Sequence, residues 1–177
     1  MKTQYIDNLL VQKKLAKSEL AKELGFSKNK AVVGIFLDKA LSGAEERTMF
    51  EVLMGLKDID VNVVVLADTN MELAGMAKIL NYNRTNRRRL LESADMALIF
   101  DFSDIEELLL NGIIPVSAAR PEISDYNPNH ETGNSFVYNK KTPWSIFAAL
   151  VRAVETFKFP YDWKHIVRQG VNSVNHD

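Results

Sequence analysis

The sequence predicts an α/β domain, a doubly wound parallel sheet of about six strands flanked by helices. Six short apolar runs recur, at 31–37, 61–67, 79–82, 96–100, 113–116 and 135–138, with segments of helical pattern between them. The central stretch Ala94–Val116, ADMALIFDFSDIEELLLNGIIPV, packs a strand, a helix and a second strand into so few residues that the strands must be parallel and covered on both faces. Length points the same way: 177 residues suit one domain, taken as 1–177, and ordinary apolar content allows a sizeable core.

Each element has a local reason. Leu15, Leu20 and Leu24, with Ala16 and Ala21, form one apolar stripe on a lead-in helix over about 8–25, and Gly25 is its C-cap. Lys13, Lys14, Lys17 and Lys22 could touch phosphate, but a solvated helix face is the expected reading. Ala31–Leu37 is the first strand, and Gly34 within it marks a close backbone approach. After a loop over Asp38–Gly43, a helix runs from about Ala44 to Leu56, burying Met49, Phe50, Leu53 and Leu56.

Val61–Ala67 is the second strand, and Asp68-Thr69-Asn70 turns and caps a short helix over Met71–Ala77. A brief strand over Ile79–Tyr82 precedes a helix that opens on Arg84, Arg87, Arg88 and Arg89 and ends near Ser93. In the central unit Ser103 and Glu106 form a capping box, and Asn111-Gly112 stops the helix. Ser117–Asn134 is a long polar loop beyond the C-terminal end of a parallel strand, where open α/β sheets place ligands. Ser135–Tyr138 is the last strand. Thr142 caps a helix with Pro143 at its first position and Trp144, Phe147, Leu150, Val151 and Val154 on its apolar stripe. A terminal helix from Pro160 turns Trp163, Ile166 and Val167 inward, and the tail over about 171–177 is expected to be loose.

Composition excludes several classes. The net charge of −1 makes no field toward nucleic acid or membrane, and no apolar run spans a bilayer, so the expected compartment is the cytoplasm. There is no cysteine, hence no disulfide, thiolate metal site or cysteine nucleophile. His130, His165 and His176 lie far apart, so neither a metal nor another cofactor is expected. The first turn, LDKALSGAEE, carries one glycine and places Glu45 and Glu46 in the first helical turn, where they compete with a bound phosphate. The Arg84–Arg89 cluster could hold RNA, a phosphate or an acidic partner, but a solvated helix face is the expected reading.

The order and wording of these segments resemble the C-terminal half of bacterial glycogen and starch synthases, glycosyltransferases of the GT-B class. KKLAKSELAKELGFSKNKAVVGIF resembles that family's lead-in helix, with its LxKELGL phrase, and the strand after it. VNVVVLADTNMEL resembles its second strand and LGTGD turn, and NYNRTNRRRLLESADMALIF its GYD…ADFFLMPS segment, with Tyr82, Ala94 and Asp95 matching. NGIIPV is similar to YGTLPI, GNSFVY to GTGFVF, and TPWSIFAALVRAVETFKFPYDWKHIVRQGV to the closing helices. The resemblance runs over roughly residues 8–171.

It implies a Rossmann-like half that binds a nucleotide sugar, ADP-glucose or UDP-glucose, while an N-terminal half supplies acceptor contacts. Glucose would then pass to an α-1,4-glucan with retention and without a metal. The donor-binding positions it implies are Gly34, Lys39, Tyr82, Asp104, Glu106, Glu107, Arg120 and Gly133, with Glu107 where related enzymes carry a ribose-binding glutamate. No catalytic residue is carried over with them. The departures fall at the chemistry. The arginine and lysine that stabilise the leaving diphosphate fall on Asp38 and Gly43, with Lys39 a stand-in only if the turn shifts. The EPCGL phrase is missing, and the TGGL loop reads RPEI at Arg120–Ile123, losing two glycines and one N–H donor. The expectation is therefore a stand-alone, catalytically degenerate relative acting through a partner or an altered ligand. The alternatives are a donor half completed in trans by an N-terminal domain, and a nucleic-acid-associated protein using the arginine cluster. Exposed apolar residues of the terminal helix are a candidate homo-oligomer patch.

Overall fold

The computed structural model describes residues 2–68, 71–100 and 104–174. Six parallel strands form one sheet in the order β3-β2-β1-β4-β5-β6, where β1 is Ala31–Phe36, β2 Val61–Ala67, β3 Lys78–Asn81, β4 Met96–Leu98, β5 Ile114–Ala118 and β6 Phe136–Tyr138. Helices α1 (Lys2–Leu24), α2 (Gly43–Leu56), α3 (Arg84–Ser93), α4 (Ile105–Leu110), α5 (Pro143–Phe157) and α6 (Pro160–Val174) complete it. The strand order reverses between β1 and β4. Both are buried throughout, which is why their sequences read as unbroken apolar runs.

Two apolar clusters cover the sheet. One gathers α2, α5 and α6 around Val33, Ile35, Val65 and Leu98. The other gathers α1, α3 and α4 around Val32, Val64, Leu66 and Ala97. Local signals act as expected at several ends. Gly25 sits at φ 70° and closes α1 with its N–H on the Ala21 carbonyl, and the Thr142 hydroxyl accepts from Ser145 N at the start of α5.

Other expectations are corrected. No helix forms over Met71–Ala77: Ala74 and Gly75 turn at φ 46° and 73°, values a right-handed helix cannot hold, while Leu73 plugs the core. Helix α4 begins at Ile105 with Asp104 as its cap, whose carboxylate accepts from Glu107 N at 2.9 Å. The expected cap Ser103 lies outside the described residues, as do Thr69 and Asn70. On α1, Leu15 is exposed, whereas Lys13 and Lys17 are buried instead of solvated. Lys17 Nζ meets Asp95 Oδ2 at 2.9 Å, and Lys13 donates to the Leu91 and Asn111 carbonyls at 3.3 and 3.0 Å. On α5 the buried stripe is Ile146, Ala149, Leu150, Ala153 and Val154, and Trp144 is 81% exposed. The segment after Gly170 continues as helix to Val174 with Val171 buried, so the loose tail does not begin there.

Candidate functional site

The C-terminal ends of the strands carry the candidate site, as the doubly wound topology dictates. β1 delivers Asp38 into the loop before α2. The start of α3, capped by the Asn83 side chain on Asn86 N at 2.8 Å, delivers Arg87. The first turn of α4 delivers Glu107. Arg87 joins all three elements. Its Nη1 and Nη2 donate to Glu107 Oε1 and Oε2 at 2.9 and 2.7 Å, and its Nε donates to Asp38 Oδ1 at 3.1 Å. The Tyr82 hydroxyl donates to the same Asp38 oxygen at 2.5 Å. Side-chain exposures of 21% for Arg87 and Asp38 and 32% for Glu107 make this a half-buried network at the rim. Its hydrogen bonds, first those to Glu107, hold the guanidinium well above its usual pKa, and the bond to Asp38 raises the Tyr82 phenol.

Beside the network opens a cleft of about 670 Å³ over the ends of β1 and β2. Phe50, Met71 and Tyr82 give it apolar walls. Among the described residues, its charged lining is Asp38, Glu46, Asp68 and Glu72 against Lys39 as the single cation. The N-terminus of α2 lies at this cleft, and a capping box engages two of its donors. Ser42 Oγ accepts from Glu45 N at 3.2 Å, and the Glu45 carboxylate accepts from Ser42 N at 2.9 Å. That capping box takes two of the N–H groups a phosphate could use, and its Glu45 adds a carboxylate there.

The structure thus brings Tyr82 and Lys39 to one cleft and joins Tyr82 to Glu107 through Asp38 and Arg87. Asp104 spends its carboxylate on the cap, and Glu106 is exposed beside it. Gly34 is buried mid-strand, where a Cβ would meet Ala94 Cβ at 3.2 Å and Leu90 Cγ at 3.5 Å, so its close approach is to the α3 end of the fold. Gly133, at φ 106°, allows the 125–135 loop to close on itself, since a Cβ there would lie 2.7 Å from Tyr126 Cα. Arg120 is half-buried in the turn after β5 and does not line the cleft.

Sequence reasoning missed Asp38 and Arg87 as partners. The arginine cluster is the expected solvated face at Arg84 and Arg88, both exposed, with Arg88 paired to Glu92 at 2.8 Å, but not at Arg87, which is clamped, or at Arg89, which is half-buried and pairs with Glu23. Cations already matched by carboxylates make a poor phosphate track. Among the described residues no group of His, Asp and Glu is placed to hold a metal ion, and no helix is long and apolar enough to cross a membrane.

The fold defines the class: the chain has the fold of the C-terminal domain of a GT-B glycosyltransferase. The C-terminal domain of a glycosyl transferase group 1 family protein (LpcC) from Francisella tularensis superposes with a TM-score of 0.56 at 13% identity, over 81% of this chain and 84% of that one. In sequence the chain is similar to glycogen synthases. It is 28% identical over 107 residues to glycogen synthase 1 of Synechocystis sp., which is 55% of this chain and 22% of that protein. To the glycogen synthase of Gloeobacter violaceus it is 27% identical over 104 residues, 54% and 23% of the two. The match therefore spans less than a quarter of the length of these relatives. No family model matches the chain.

Proposed function

We propose that this chain is a glycosyltransferase-like domain whose nucleotide-sugar donor site no longer supports transfer, and that it works by binding a macromolecular partner. The Asp38–Arg87–Glu107 network carries this reading. Transfer from a nucleoside diphosphate sugar needs cations where charge develops on the leaving diphosphate. Here the position the resemblance assigns to a diphosphate-binding arginine is Asp38, and the nearby cation Arg87 is neutralised by two carboxylates. Glu107, the implied ribose contact, is held bidentately by the same guanidinium. A diphosphate entering the cleft would face four carboxylates and one lysine. Calorimetric titration with ADP, UDP, ADP-glucose and UDP-glucose tests the reading. No heat of binding is expected up to about 1 mM ligand, and micromolar affinity for any of the four would overturn it.

One observation favours a second reading, in which the chain is the ADP- or UDP-glucose-binding half of a glucosyltransferase and an N-terminal domain supplies the α-glucan acceptor site. Glu107 stays at the rim in the first turn of α4, and opening a single ion pair would free it for a ribose. Glucan elongation on mixing the chain with an N-terminal synthase half and ADP-glucose would establish that reading. Its absence, with nucleotide binding also absent, leaves the first.

A further inference from the structure

We infer that the groove between α1 and the end of α5 is a docking surface for an acidic amphipathic helix of a partner protein. This rests on the reading of the chain as a domain that works through a partner, and it names that partner's chemistry. α1 buries one side against α3 and α6 through Ile6, Leu20 and the stems of Lys13 and Lys17. Its opposite side should be polar, as in an ordinary surface helix. Instead Val11 and Leu15, one turn apart, are 53% and 57% exposed. They border a groove of about 630 Å³ that runs to Phe157 and to the turn before β1.

The charge of this groove is one-sided. Lys14, Lys17 and Lys28 line it, and among the described residues no carboxylate does. Lys17 is committed inward: it bonds Asp95, and its ammonium lies 4.8 Å from the Phe157 ring centroid. Lys14 and Lys28 are exposed at the lips. Exposed aliphatic groups rimmed by cations fit a helix that presents apolar residues at i and i+4 with Glu or Asp beside them. The apolar floor excludes water at the centre, and the lysines set orientation and partner choice at the rim. The groove lies near the N-terminal ends of the strands, as Asp95 and Lys28 show, away from the cleft. Occupying it leaves the rim network untouched.

The probe is a labelled synthetic helix of about 18 residues, long enough to hold helical structure, with Leu at i and i+4 positions and Glu flanking them. Fluorescence anisotropy against the full chain is expected to show saturable binding. The double variant Lys14→Glu/Lys28→Glu should weaken it about tenfold or more, as should Leu15→Asp, while Met54→Ala, exposed on α2, should leave it unchanged. These side chains are exposed, so the variants keep the fold. No saturation by about 1 mM peptide, or equal binding of a scrambled peptide of the same composition, would overturn the proposal. Preference for vesicles of phosphatidylglycerol and phosphatidylcholine would overturn it in favour of a lipid surface. Concentration-dependent dimerisation abolished by Leu15→Asp would overturn it in favour of a second copy. None of these outcomes depends on whether nucleotides bind, so this inference and the proposed function fail separately.

Discussion

Two cations tie helices to opposite edges of the sheet, and they differ in enclosure. Near the N-terminal edge, Lys17 of α1 meets Asp95 just before β4, with side-chain exposures of 8% and 9%. The same Asp95 oxygen accepts from Val32 N of β1 at 2.8 Å. At the C-terminal rim, Arg87 of α3 holds Asp38 and Glu107 at 21–32% exposure. The chemistry is similar, but water can replace a lost partner only at the rim. The lower pair therefore acts as a structural joint, and the upper network as a surface whose charges can be rearranged by evolution or by a ligand.

That contrast orders the expected effects of mutation. Asp95→Ala should cost the most, about 3–5 kcal/mol in chemical denaturation, because it strands a buried ammonium and a buried N–H together. A loss below about 1 kcal/mol would place this joint in the same class as the rim. Lys13, buried beside it, sharpens the comparison through pH. Burial first, partly offset by Asp95, lowers its pKa from 10.5 to about 8. Between those values the unfolded chain holds the proton and the folded chain has released it, so this group adds stability as pH rises from about 8 to 10.5. Below that window both states are protonated, and the burial penalty stands in full. Unfolding free energies of wild type and Lys13→Met across the window should diverge by on the order of 1–3 kcal/mol, with the wild type gaining relative to the variant.

At the rim, Arg87→Ala should cost no more than about 1 kcal/mol, since Asp38 and Glu107 regain water. A cost near that of Asp95→Ala would mean that the network is a joint as well, and would weaken the case that its role is to disable a donor site. The smallest effect belongs to Trp144→Ala. With the indole exposed at the head of α5, thermal denaturation should register a change within about 0.5 kcal/mol.

The parts readable in sequence were those whose causes are local. Short, mainly apolar runs marked all six strands, with β2 at its observed bounds, and α3 runs from Arg84 to Ser93 as its pattern indicated. Thr142-Pro143 marked the start of α5. The misreadings share a different cause. Met71–Ala77 has helical composition, but a parallel connection so short is governed by where β3 must pair, and the chain turns through φ > 0 instead. Lys13, Lys17 and Arg87 carry the pattern of solvated cations, and nothing within a few residues of them announces a carboxylate or carbonyl 20 to 98 positions away.

For the candidate site, the departures at Asp38, Gly43 and Arg120–Ile123 were visible as residue types, since charge and backbone freedom belong to single residues. Their consequence was not. The contacts of Asp38, Arg87 and Glu107 arise because strand order 3-2-1-4-5-6 sets the ends of β1 and the heads of α3 and α4 side by side. Sequence by itself determined the strands, the caps at Gly25 and Thr142 and the shortage of cations in the first turn, all effects of neighbouring residues on one another. Only the tertiary structure decided which charges meet, which lysines are sealed from water and which apolar residues of α1 stay outside, because each depends on segments brought together by the sheet.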